Sequence, residues 1–168
     1  MRTRKNYWTS LSMVLLSVTV FCGCSSVDDG SYVEPIRLYE KIDGKWVINS
    51  LTQTDESNGK TMTLTSMLDF DSFVIHLNRN SSGEPADFTV EGSAPELLPI
   101  KGTWTLDHPF TKSDGTAARL TLNGEEDAPA LTITTMPGNN QTLEFRLTRQ
   151  VNGKPFVSYT YNLMQAVE

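Results

Sequence analysis

The stretch Thr142-Leu143-Glu144-Phe145-Arg146-Leu147-Thr148 decides the fold. Leu143, Phe145 and Leu147 fall on one side of an extended chain; Thr142, Glu144, Arg146 and Thr148 fall on the other. Strict alternation of this kind marks a strand with one dry and one wet face. The pattern recurs outward from here. Phe73, Ile75 and Leu77 share a face, as do Leu120 with Leu122 and Leu131 with Ile133. Strands are expected at Lys45–Thr54, Ser72–Asn78, Asp87–Glu91, Lys101–Asp107, Ala118–Asn123, Ala130–Thr135, Gln141–Arg149 and Phe156–Met164. Turn signals such as Ser113-Asp114-Gly115, Asn123-Gly124, Pro137-Gly138-Asn139-Asn140 and Asn152-Gly153-Lys154-Pro155 separate them. Strands so closely spaced leave no room for crossover helices, so the sheet is antiparallel.

An all-β fold follows, and eight such strands remove their exposed edges by closing into an up-and-down barrel. A two-sheet β-sandwich is the alternative, because alternation alone does not distinguish the two. The inward set is Trp46, Ile48, Phe73, Ile75, Leu77, Phe88, Val90, Trp104, Leu106, Leu120, Leu122, Leu131, Ile133, Leu143, Phe145 and Leu147. Ahead of the first strand, Leu38 and Ile42 at helical spacing predict a short helix over Ile36 to Ile42, ended by Asp43-Gly44. Thr61 to Asp71 is read as a connection, with one turn of helix started by Ser66 and closed against Asp69.

The first residues describe location. Arg2, Arg4 and Lys5 precede the apolar run Leu11 to Phe21, which ends in Phe21-Cys22-Gly23-Cys24. A basic start, a short apolar stretch and small residues at the cut describe a secretory signal. The run is shorter than the roughly 20 residues that span a bilayer. Gly23-Cys24 resembles the lipobox of bacterial lipoproteins, in which the cysteine is acylated and becomes the new N-terminus. An ordinary signal peptide with a stray cysteine is the plainer alternative. The reading divides the chain into a signal peptide removed at 1–23, an acylated acidic tether at 24–35 and a barrel domain at 36–168. Two or more acyl chains hold a protein on a membrane durably. Ser25-Ser26-Val27-Asp28-Asp29 resembles the serine-then-acidic export signal of Bacteroidetes surface lipoproteins, which implies an outer-membrane protein exposed on the cell surface. A solvated linker on the periplasmic face is the alternative.

Removing residues 1–23 takes away three of the 14 basic residues and none of the 20 acidic ones. The remaining 11 against 20 give a net charge of −9 over 145 residues. Nucleic acid is excluded as a partner, since its binding rests on clustered Lys and Arg. With Cys22 cleaved and Cys24 acylated, no thiol is left for a disulfide, a metal site or a nucleophile.

Gly44-Lys45-Trp46 behind a short helix resembles the start of a lipocalin-type barrel, where the Trp packs over the closed base. Residues from about Leu38 onward are similar to a family of uncharacterised, lipocalin-like Bacteroidetes lipoproteins. The likeness is carried by Gly44-Lys45-Trp46, Thr65 to Phe73, Gly102-Thr103-Trp104-Thr105-Leu106-Asp107, Leu120-Thr121-Leu122 and Tyr159-Thr160-Tyr161-Asn162-Leu163. The resemblance implies an eight-stranded barrel and supplies no ligand or activity.

No catalytic constellation is visible, so an enzyme is not expected. His76 and His108 are the two histidines and have no second ligand at useful spacing. No G-x-S-x-G elbow or phosphate-cradling glycine loop is present. The carboxylate groups Asp55-Glu56, Asp69-Asp71 and Glu125-Glu126-Asp127 lack the ligand pattern of a calcium loop and read as solvated charge. Neither a metal nor another cofactor is implied. Trp46, Trp104, Phe145, Tyr159 and Tyr161 are the candidate ligand-binding residues, each with core packing as the plainer reading. Trp46 and Trp104 are expected to lie buried at the closed end, near the helix. The bulky inward set predicts a mostly filled interior, with any apolar or amphipathic ligand near the open end. The expected function is a lipid-anchored binding module. The alternative is a surface interaction protein with a packed barrel, for instance in a glycan-uptake complex.

Overall fold

The computed structural model describes residues 33–93, 98–123 and 130–167. The stretch read as a signal sequence, Cys24, Ser25, Ser26 and the acidic residues Asp28 and Asp29 lie outside the described residues. The described chain runs through a helix α1 (Leu38–Ile42) and nine strands: β1 (Gly44–Asp55), β2 (Thr61–Thr63), β3 (Val74–Arg79), β4 (Pro85–Glu91), β5 (Lys101–Leu106), β6 (Arg119–Leu122), β7 (Ala130–Thr135), β8 (Thr142–Val151) and β9 (Lys154–Gln165). A 3-10 turn, Phe70–Ser72, precedes β3.

All pairings are antiparallel, and eight strands close the barrel. From β3 to β9 each strand pairs with the next, and β9 returns to β1 from Trp46↔Gln165 to Asp55↔Val157. The other edge of β1 is shared. Its first half pairs with β3, from Gly44↔Leu77 to Val47↔Val74. Its second half pairs with β2, from Thr52↔Thr63 to Thr54↔Thr61. The ninth strand, β2, therefore extends the wall of the barrel beside the end of β1. The sequence reading placed Thr61–Thr63 in a connection; all three residues are exposed, so no alternation of burial marks them as a strand.

Every residue of the expected inward set is buried or packed against the core. Trp46 and Trp104 are fully buried at the end that α1 covers. The Trp46 indole Nε1 donates to the Ile42 carbonyl at 2.8 Å, and Trp104 Nε1 donates to the Asn78 carbonyl at 2.7 Å. Each large ring thus buries its apolar body without stranding its N–H. The Asp43–Arg79 ion pair, 2.9 Å, closes the same corner.

Two local expectations are corrected. The helix begins at Leu38, not Ile36, because the Leu38 amide donates to the Pro109 carbonyl at 2.7 Å and Ile36 stays exposed. Ser66 does not cap a turn against Asp69. The helical turn comes later, at Phe70–Ser72, and Asp69 precedes it in a left-handed conformation with no side-chain cap.

The hairpin β1–β2 is tied back to the barrel by Glu56. Its carboxylate accepts from Arg146 on β8 and from Ser158 on β9, Arg146 Nε donates to Ser158 Oγ at 2.9 Å, and the Glu56 amide donates to the Phe156 carbonyl at 3.0 Å. The Ser158 hydroxyl and the Arg146 guanidinium hold the Glu56 carboxyl below its ordinary value of 4.5.

Two outcomes follow for stability. Trp46→Ala and Trp104→Ala should each cost about 3–5 kcal/mol in denaturant unfolding, as other buried aromatics do. The depressed Glu56 carboxyl contributes stability that is present above its unfolded value and lost as pH falls below it, because the unfolded chain takes up the proton first. Glu56→Gln should therefore lower the melting temperature at neutral pH, and the gap from the native protein should close as pH drops below about 4.5.

Candidate functional site at the barrel mouth

The end opposite α1 grades from apolar to charged. Three cross-strand rows on the inward face of β1, β9 and β8 make the gradient. The deepest row is Leu51–Tyr161–Phe145, all buried, with the Tyr161 and Phe145 rings stacked at 4.9 Å and Phe73 at 5.4 Å from Tyr161. Above it comes Gln53–Tyr159–Leu147, with Gln53 and Tyr159 half-buried. The outermost row is Asp55–Val157–Arg149, where Arg149 is exposed.

A β-bulge makes this arrangement possible. The β1–β9 register shifts between Ile48 and Ser50, so Asn49 is the exposed extra residue. Simple alternation from Trp46 and Ile48 would turn Leu51, Gln53 and Asp55 outward; the added residue turns them in.

Beside the upper rows lies an open-sided groove of about 640 Å3, lined by Gln53, Met62, Leu64, Met67, Leu68, Phe70 and Tyr159. Its apolar wall comes from β2 and from the segment that leads to the 3-10 turn. Met62, Met67 and Leu68 keep much of their surface in solvent, and Leu68 is 80% exposed. Leu68 and Asp69 stand in succession in the left-handed region, at φ +54° and +62°. That conformation costs a residue with a Cβ roughly 1–2 kcal/mol. Strain and exposed apolar surface therefore coincide at the rim.

A second groove, about 460 Å3, shares Gln53 and Tyr159 with the first and adds Asp55, Ser57, Arg149, Phe156 and Val157. The Arg149 guanidinium lies 5.4 Å from the Phe156 ring centroid and has no carboxylate partner among the described residues. The Asp55 carboxylate accepts from the Ser57 hydroxyl at 2.6 Å, the Ser57 amide at 2.9 Å and Asn58 Nδ2 at 2.8 Å. These donors, the Ser57 hydroxyl foremost, hold it below the usual aspartate value.

Another groove, about 530 Å3, lies at the covered end between Arg37, Tyr39, Glu84, Leu106, Pro109 and Phe110. Its polar groups satisfy one another. Arg37 donates to Glu84 at 2.8 Å and to the Tyr39 hydroxyl, which donates to Glu84 at 3.1 Å. The mouth is the better candidate, since three large apolar side chains of its lining, Met62, Met67 and Leu68, stand exposed.

Of the aromatic candidates from the sequence, Tyr159 alone lines the mouth grooves. Trp46 and Trp104 pack the covered end and offer no face to solvent. Phe145 and Tyr161 form the floor. The Tyr161 hydroxyl has no hydrogen-bond partner among the described residues, and burial, with a smaller effect of Tyr159, pushes its pKa up. Sequence reasoning missed Gln53, Met62, Leu64, Met67, Leu68, Phe70, Arg149 and Phe156. The available signal was the run of two Met, two Leu and a Phe between Met62 and Phe70, more apolar than a solvated connection needs. Among the described residues no group of three or more His, Cys, Asp or Glu side chains could hold a metal ion.

No curated protein and no solved structure matches this chain. A family model described as "Domain of unknown function (DUF5004)" matches residues 21–164, a stretch that takes in Gly23-Cys24 and every strand of the barrel but the last residue of β9. The chain belongs to that family, the domain of unknown function DUF5004.

Proposed function

We propose that this protein is a lipid-anchored, lipocalin-like binding module of the cell envelope that holds one small apolar or amphipathic molecule at the barrel mouth. The observation that carries the reading is the groove of about 640 Å3 walled by Met62, Leu64, Met67, Leu68 and Phe70. Its size falls within the roughly 300–1,000 Å3 of small-molecule sites, and Gln53 and Tyr159 supply the few polar groups that orient a ligand in such a site. The interior below is filled by its own side chains, as an eight-stranded barrel allows, so the ligand sits at the top. The role is binding, not catalysis, and it calls for no cofactor and no nucleic acid.

Cys24 carries the anchor in this reading, and Ser25, Ser26, Asp28 and Asp29 direct the protein to the outer surface of the outer membrane. The filled interior favours one competitor, an accessory protein of an envelope complex whose mouth groove takes a partner's side chain instead of a free molecule.

Titration with the neutral fluorophore N-phenyl-1-naphthylamine separates the two. A binding module gives a saturable signal at one probe per chain, and Met67→Glu weakens it at least tenfold with little change in melting temperature. Leu68→Gly relieves the left-handed strain, so it should leave stability unchanged or raised while also weakening the probe. Absence of saturable binding would favour the accessory protein. The anchor is tested separately. Cys24→Ala should move the protein from the membrane to the soluble fraction, since acyl chains contribute about 0.8 kcal/mol of membrane affinity per buried methylene. A mutant that stays with the membrane refutes the lipobox assignment.

A further inference from the structure

We propose that the mouth selects an amphiphile with an anionic head group, a free long-chain carboxylate whose tail lies in the Met62–Phe70 groove and whose carboxylate pairs with Arg149. The inference rests on the mouth being the binding site and adds the chemistry of its ligand. Three observations carry it. The apolar and polar grooves meet at Gln53 and Tyr159, so one molecule can occupy both. Val157 lies two positions from Tyr159 along β9, which places the Arg149 row about 7 Å beyond the tyrosine row. A head group there leaves the tail over the apolar wall.

The third observation is charge. Arg149 is held against the Phe156 ring yet has no carboxylate partner among the described residues, whereas its neighbour on the other face, Arg146, is taken by Glu56. A guanidinium so placed presents a fork of donors that matches a carboxylate bidentately. Asp55 is the acid in the same cross-strand row as Arg149, two strands away or roughly 10 Å. Its oxygens are occupied by Ser57 and Asn58 of its own turn, so it does not compete for Arg149. The mature chain is strongly acidic and repels anions in general. A preference for an anionic ligand therefore has to come from a local cation. The groove volume suits a single-chain amphiphile.

The test displaces bound N-phenyl-1-naphthylamine from the purified full chain with three twelve-carbon ligands: dodecanoate, dodecanol and dodecyltrimethylammonium. Dodecanoate should bind at least tenfold more tightly than either of the others, and the advantage should shrink with added salt. Arg149→Gln should abolish the advantage, read within the variant as the ratio of dodecanoate to dodecanol affinity; Arg149→Lys should restore part of it. Equal binding of the three ligands by the native protein, or a preference that survives Arg149→Gln, overturns the head-group assignment and leaves the mouth site standing. Failure of the neutral probe itself removes the mouth site and the assignment with it. Tighter binding of the ammonium ligand would assign the rim to Asp55 and overturn the proposal. Phosphatidylglycerol vesicles should displace the probe no better than phosphatidylcholine vesicles; if they do so better than dodecanoate, the anion read is a membrane surface and not a free carboxylate.

Discussion

The pairing of β1 with β9 is the constraint on which the rest of the molecule depends. Without it the sheet is an open ribbon with two long exposed edges, and such edges invite association with other chains. Closure brings the two longest strands together over almost their whole length, from Trp46↔Gln165 to Asp55↔Val157. The bulge between Ile48 and Ser50 is part of this pairing. It lets β1 contribute Trp46 and Ile48 to the core near α1 and Leu51, Gln53 and Asp55 to the mouth. One added residue thus serves both ends of the barrel, and the graded rows of the mouth would not exist without it.

Alternation made most of the fold legible. Leu143, Phe145 and Leu147 were readable as inward residues because a strand in a closed sheet has one dry face along its full length. What alternation does not encode is a change of register. Asn49-Ser50 contains no glycine or proline to signal a bulge, so the inward turn of Leu51 was invisible in the sequence. β2 was invisible for a different reason. Thr61-Met62-Thr63 is exposed on every residue, and it is a strand because the edge of β1 away from β9 is left open beyond Val47, where the pairing with β3 ends. The start of α1 depends on a hydrogen bond to Pro109, some seventy residues away in the chain, and local spacing carries no record of that.

The site was legible in position more than in membership. Bulky inward residues implied a filled interior with space near the open end, and the groove lies there. Naming its residues needed depth along the barrel, and parity gives inside or outside without depth. Tyr159 and Tyr161 share a face and differ by two residues, yet one lines the groove while the other is buried with its hydroxyl unpartnered among the described residues. Trp46 and Trp104 were readable as core residues of the closed end, and hydrogen bonds to Ile42 and Asn78 hold them there, away from the mouth. Arg149 was one more charge at the end of a strand until its row placed it beside a groove.

The rim of the mouth breaks a local rule that the fold has no need to break. Leu68 stands in a left-handed conformation that glycine adopts at no steric cost, and its side chain is mostly in water. Packing gains little from that side chain, and the backbone is strained to present it. Elsewhere Gly153 follows Asn152 in the hairpin between β8 and β9 and Gly59 takes positive φ in open space, while Gln141, left-handed at φ +49°, presents a polar side chain and no apolar surface. Local departures of this kind, paired with exposed apolar surface, concentrate where a surface meets something else. The strain at Leu68, the methionines beside it and the bulge that aims Gln53 inward converge on one groove. They come from two separate stretches of sequence, and their common effect is to keep an apolar wall open at the top of the barrel.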